Sequence, residues 1–154
     1  MPKRCVECRG SEMVASEAEE RIKVAGRTFA AIIPATKCAK CGAIYLSHEA
    51  VGVLELAAAG ELARHGAVSA EAFSFMRRAL GLRALELAEL LAVTPETVSR
   101  WEHDRQPLDR GAAALLSAMV MDRLERRTTT LDSLKALLKP EPLPRLVRLV
   151  LRPA

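Results

Sequence analysis

Apolar and polar positions alternate on either side of a two-residue punctuation. Ile22 and Val24 precede Ala25-Gly26, and Phe29, Ala31 and Ile33 follow it. A period of two around a glycine-bearing turn predicts a β-hairpin. Pro34 is expected to end the second strand or to sit on a sheet edge, because it donates no ladder hydrogen bond. The pattern then changes. Residues 48–66 have helical composition despite Gly52 and Gly60, with Gly66 as a C-cap. Residues 69–127 read as a run of helices. Ser69 caps the first, which Gly81 ends; the second covers about 84–91; Thr94-Pro95 opens the third as N-cap and first helical position; the fourth runs over about 110–126. Thr130 is expected to cap a fifth helix ended by Pro140, with Leu131, Leu134, Leu137 and Leu138 on one face. Beyond the proline-rich "KPEPLPR", the stretch "RLVRLVLR" fits helix or strand.

Composition sharpens this into an α+β reading. Half of the 154 residues are apolar but only 3% are aromatic, so the core is built from Ala, Leu and Val, and Ala and Leu favour helices. Three segments follow: an N-terminal module with hairpin and connecting helix (1–66), a mainly helical domain (67–127) and a basic C-terminal extension (128–154) with five basic and two acidic side chains. The net charge of +4 permits a nucleic-acid partner without demanding one. No apolar run approaches the roughly 18 residues of a membrane span, and no apolar stretch follows the basic start, so a cytoplasmic protein without a membrane partner is expected.

The four cysteines form two pairs, Cys5-x2-Cys8 and Cys38-x2-Cys41, with 29 residues between them. Each C-x2-C turn places two thiolates on one side of a tight loop. Two such turns joined by a hairpin make an S4 cage, which suits one structural Zn2+ per chain. Gly10 and Gly42 follow the pairs, where glycine lets backbone N–H groups turn toward sulfur. A catalytic zinc is not expected, because all four cysteines are needed for closure and His48, His65 and His103 are scattered. The two competing readings are a thiol-exchange pair and reduced cysteines in an apolar patch.

The segment "ALELAELLAVTPETVSRWEH" satisfies the packing demands of a helix-turn-helix. Counting Ala84 as first, the apolar slots 4, 8, 10, 15 and 18 hold Leu87, Leu91, Val93, Val98 and Trp101, and the small slot 5 holds Ala88. Ala92 stands at the turn where glycine is usual; a left-handed Ala there costs about 1 kcal/mol. The outward face of the second helix then carries Glu96, Thr97, Ser99, Arg100 and His103, which suits a DNA major groove. Arg100 can hold guanine O6 and N7, and Glu96 can accept from cytosine N4. Thr94, Thr97 and Ser99 reach phosphates or bases. Arg83, Arg105 and Gln106 stand where phosphates are clamped. Residues 69–127 hold nine basic and nine acidic side chains, so a positive face requires segregation, with Glu86 and Glu89 turned away.

"LGLRALELAELLAVTPETVSRWEHDRQPL" resembles the Cro/cI-type, Xre-like helix-turn-helix, and "CVEC" with "CAKCG" resembles the YgiT-type zinc finger. Their order is similar to that of the MqsA family of antitoxins, over about residues 1–121. The resemblance implies a zinc-ribbon-like β module joined to a Cro/cI-like domain. It also implies a structural zinc on Cys5, Cys8, Cys38 and Cys41, a toxin bound by the zinc module, and a homodimer that binds a palindrome in its own promoter. By position, the recognition helix is Pro95 to His103, Arg100 matches a base-reading arginine, and Glu102 matches a glutamate of structural or functional use. Three positions depart from the pattern: Gln commonly stands at Ala84, a Ser or Thr cap at Arg83, and Asn can stand at Glu96. A different operator is therefore expected.

The expected function is a DNA-binding repressor acting as the antitoxin of a type II toxin–antitoxin pair; the alternative is a stand-alone zinc-containing helix-turn-helix regulator. An enzyme is not expected, since no nucleophile–base pair or phosphate-binding glycine loop stands out. The extension is expected to pack on the dimer or the fourth helix, or to touch DNA flanks or an acidic partner through Arg145, Arg148 and Arg152.

Overall fold

The structure, a computed structural model, describes residues 4–149. It is α+β: a three-stranded antiparallel sheet precedes six helices. The strands are β1 (Met13–Val24), β2 (Arg27–Cys38) and β3 (Ile44–Leu46), and the helices α1 (His48–Arg64), α2 (Ala70–Ala79), α3 (Ala84–Leu90), α4 (Pro95–Glu102), α5 (Arg110–Leu124) and α6 (Thr129–Leu138). No helix among the described residues is long and apolar enough to cross a membrane.

The hairpin turns at Ala25-Gly26, both at positive φ (50° and 70°), the left-handed pair that matches strand twist. Its strands pair in register from Val24↔Arg27 to Met13↔Cys38, longer than the alternation alone marks out. Pro34 does not end β2, which runs on to Cys38. The physical reason is register. Counted from the two-residue turn, Glu17↔Pro34 falls at a non-hydrogen-bonded pair, so the proline nitrogen faces away from β1. On its other side β3 pairs only with Ala35–Lys37. The missing N–H therefore faces an edge, where it costs no ladder bond.

Helix α1 is the spine of the molecule. Ser47 caps it, its Oγ accepting from the Ala50 N–H at 3.0 Å. Ala50 and Leu54 pack with Ile33 on the inner face of the sheet. Leu62 packs with Val24, at the hairpin tip, and Ala72. Ala59 enters the main core with Phe73, Met76, Leu87, Val98, Trp101, Leu116 and Val120. Where α1 meets α5 the tip of Leu124 occupies the space beside Gly60: a Cβ there would lie 2.4 Å from Leu124 Cδ1, so that leucine would have to turn aside. Gly60, a tolerated exception by helical composition alone, here makes room for that leucine.

Five helices end alike. After α1, α2, α3, α4 and α5 the chain turns through one left-handed residue: Gly66, Gly81, Ala92, Asp104 and Arg126 respectively. In each case the next N–H reaches back five residues to a carbonyl, as Val93 does to Ala88 (3.0 Å) and Arg105 to Arg100 (2.8 Å). This is the Schellman closure of orphaned helix carbonyls. Glycine supplies it twice; elsewhere a side-chain-bearing residue accepts strain.

One expectation for the C-terminal region needs correction. Thr130 is not the cap of α6 but lies in its first turn; the capping group comes from α5, where Asp122 Oδ2 accepts the Thr130 N–H at 2.7 Å. A carboxylate is a stronger acceptor for a helix N-terminus than a hydroxyl. The leucine face is also only partly used: Leu134 is buried, while Leu137 and Leu138 are exposed. Residues 139–149 form neither helix nor strand, and Arg152 lies outside the described residues.

Candidate functional site

The two cysteine loops are built on one plan. Cys5 N–H donates to the Gly10 carbonyl and Cys38 N–H to that of Ala43, each at 2.8 Å. Arg9 N–H returns to Cys5 O (2.9 Å) and Gly42 N–H to Cys38 O (2.8 Å). The residue after each pair is left-handed: Arg9 (φ 57°) in the first loop, Gly42 (φ 79°) in the second. Gly42 thus meets its expected conformational role and Gly10 does not. Gly10 instead lies close against the sulfurs: a Cβ there would sit 3.3 Å from Cys8 Sγ and 3.4 Å from Cys38 Sγ and would crowd them.

The hairpin carries the second loop back onto the first. All four sulfurs lie within 4.8 Å of one another, the only such group of potential ligands among the described residues. Cys5 and Cys41 approach to 3.4 Å and Cys8 and Cys38 to 3.6 Å. A tetrahedron with metal–sulfur bonds of about 2.3 Å has edges of about 3.8 Å, so the cluster fits a thiophilic ion with small adjustments. Cys5 and Cys38 are buried, Cys8 is half-buried and Cys41 exposed. The four cysteines therefore form a site that can hold a metal ion.

The electrostatics of the thiols agree with their crowding. A hydrogen bond from Tyr45 draws Cys5 down to about 6 against the cost of burial. Cys41 receives help from the Ala43 N–H, yet the neighbouring Cys5, Cys8 and Cys38 push it up to about 12. Four thiols this close cannot all ionise unless a cation joins them. Tyr45, whose own pKa is raised by the Cys5 interaction first, is a residue the sequence reading missed.

The second candidate site is the α3–α4 pair. Leu87, Ala88, Val98 and Trp101 are buried, and Leu91 and Val93 are partly buried against them. Trp101 meets Phe73 edge-on, with ring centroids 5.9 Å apart. Ala92 is left-handed, φ 53°. Opposite this apolar stripe, Glu96, Ser99, Arg100 and His103 follow at helical spacing, and all are exposed, as is Arg105. Thr94 caps α4 by accepting from the Thr97 N–H (3.2 Å), and their hydroxyls lie 3.1 Å apart; Thr97 and Gln106 are half-buried. His103 Nδ1 lies 2.8 Å from the Ser99 carbonyl, which commits that nitrogen to the end of the helix.

Several charges belong to the scaffold. Glu102 is held by Arg77 of α2, Nε to Oε1 at 2.5 Å and Nη2 to Oε2 at 2.9 Å, so its role here is to pin the end of α4. Arg77 Nη1 also donates to the Leu82 carbonyl at 2.7 Å. Glu86 accepts from the Arg83 backbone N–H (2.7 Å) and from its guanidinium (3.1 Å), which draws Glu86 below the usual carboxylate range and leaves Arg83 already paired. Asp109 caps α5 at the Ala112 N–H. Arg100, Arg105 and Arg110 make no ion pair among the described residues. Glu96 and Asp104, also exposed and without an ion pair among the described residues, stand beside these cationic groups.

In comparisons with known proteins, no family model, no curated protein and no solved structure matches this chain.

Proposed function

We propose that the chain is a DNA-binding transcriptional repressor with a structural Zn2+ on Cys5, Cys8, Cys38 and Cys41, acting as the antitoxin of a type II toxin–antitoxin pair. The observation that carries the DNA-binding reading is the two-sided character of α4. Val98 and Trp101 fix it to the core, while Glu96, Ser99, Arg100 and His103 are exposed along the opposite stripe. A helix anchored in this way presents side chains to base edges with little conformational freedom left to lose. Arg105 beyond its end and Arg83 before α3 supply phosphate contacts, Arg83 after exchanging Glu86 for phosphate. This is the Cro/cI-like use of such a pair, on a palindromic operator read by a homodimer.

Zinc suits four sulfur ligands with no open position, a closed site whose work is folding rather than catalysis. The antitoxin role, direct neutralisation of a toxin by the zinc module and repression of its own operon, rests on the resemblance in motif order. Fluorescence anisotropy with DNA from the chain's own promoter tests the DNA-binding reading. Arg100→Ala is expected to weaken specific binding by about 1–3 kcal/mol, about 5–150-fold, while non-specific binding changes little. Equal operator affinity of variant and wild type would reject the base-reading role. Native mass spectrometry of protein purified from its host without chelator tests the rest. A small stoichiometric partner with one zinc per chain supports the antitoxin; a zinc-loaded homodimer alone supports a stand-alone regulator.

A further inference from the structure

The strand β3 is only three residues long, yet it places one side chain across the molecule. Its register, Thr36↔Tyr45, sets Tyr45 beside the first cysteine loop, forty residues away in sequence. The phenol oxygen lies 3.1 Å from Cys5 Sγ and 3.0 Å from the Val6 backbone nitrogen. An amide N–H can only donate, so the phenol oxygen accepts from Val6. Its own proton is then left for the sulfur. Cys5 is the one sulfur of the four with a hydroxyl partner among the described residues.

We propose that Tyr45 is a positioning residue of the metal centre: its O–H donates to the Cys5 thiolate, fixes that ligand toward the ion and locks β3 onto the first cysteine loop. The inference rests on the metal-binding reading of the cluster. A hydrogen bond to a bound thiolate withdraws electron density from sulfur and orients its lone pairs, and partners of this outer kind commonly carry 10–100-fold of metal affinity. A thiolate has no proton to donate, so toward Cys5 the phenol can only be the donor, while the Val6 N–H holds its oxygen in place.

The test compares full-length wild type with Tyr45→Phe, which keeps the ring and removes the proton. Competition for Zn2+ against a chromophoric chelator is expected to show about 10–100-fold weaker binding. In the Co2+-loaded proteins, the sulfur-to-cobalt charge-transfer band is expected at longer wavelength in the variant, because its sulfur is more electron-rich, with the tetrahedral d–d bands unchanged. Affinity within about twofold of wild type overturns the proposal. Weaker affinity with an unshifted charge-transfer band also overturns it, since Tyr45 would then only fill space. Should the variant fail to fold, the unaltered protein loaded with an NMR-active cadmium isotope decides: Tyr45 is the sole tyrosine, and its hydroxyl proton should exchange slowly and couple to the metal. A rapidly exchanging, uncoupled hydroxyl overturns the role. Wild type that takes up none of these metals overturns the metal-centre reading and this one with it, whereas metal uptake unaffected by Tyr45→Phe overturns the tyrosine alone.

Discussion

The Arg77–Glu102 pair is expected to be a principal stabilising contact of the helical core. The guanidinium and carboxylate meet through two hydrogen bonds, and a third runs from Arg77 to the Leu82 carbonyl. The side chains are only 13% and 7% exposed, so solvent does little to screen them. Arg77→Met leaves a buried carboxylate without its counter-ion, which costs about 3–5 kcal/mol. Glu102→Leu should cost less, about 2–3 kcal/mol, because the long arginine can swing its charge toward water and keeps Leu82. The double variant exchanges an ion pair for apolar contact and should fall short of the summed costs by about 2 kcal/mol or more. Urea unfolding of the metal-loaded protein, followed by far-ultraviolet circular dichroism, gives all three values. A loss of 3 kcal/mol corresponds to about 6–12 °C in Tm for a chain of this size. Single costs below about 1 kcal/mol, or simple additivity, would show that the pair behaves as an exposed ion pair and would refute the reasoning.

Three further outcomes are expected. Ala92→Gly relieves a left-handed alanine and should stabilise by about 0.5–1 kcal/mol, while Gly81→Ala introduces that strain and should destabilise by about 1–2 kcal/mol; thermal unfolding of both checks the sign. The Thr130 backbone N–H first, and Arg127 more weakly, hold the Asp122 carboxyl below the usual carboxylate range. Its stabilisation is therefore present above about pH 4 and lost as pH falls through the depressed folded value, because the unfolded chain binds the proton first. Asp122→Asn should flatten part of the acid limb of a stability–pH curve measured beside wild type, and identical limbs would count against it. Stripping metal with a chelator should open the cysteine loops to trypsin at Arg9 and Lys40; unchanged resistance would show that the loops hold without the ion.

The elements legible in the sequence are those fixed by neighbours along the chain. The hairpin follows from alternation around Ala25-Gly26, and the helix ends at Gly66, Gly81 and Thr94-Pro95 follow from local φ preferences and capping. The four cysteines are legible because two short C-x2-C loops carry their own geometry. The inward positions of α3 and α4 are legible because a period of 3.6 separates Leu87, Val98 and Trp101 from Glu96 and Arg100.

What only the tertiary structure decided involves partners far apart in sequence. Pro34 is harmless because β3 stops one residue short of it, a matter of register rather than propensity. Glu102 turns inward because Arg77 lies 25 residues earlier on a different helix. Thr130 is relieved of capping because Asp122 reaches over from α5, and Gly60 matters because Leu124 fills its place. Tyr45 reaches Cys5 because a three-residue strand adds to β2. Periodicity reports which face of an element is buried; it carries no information about what waits there, and hydrogen bonds and charges are decided by what waits there.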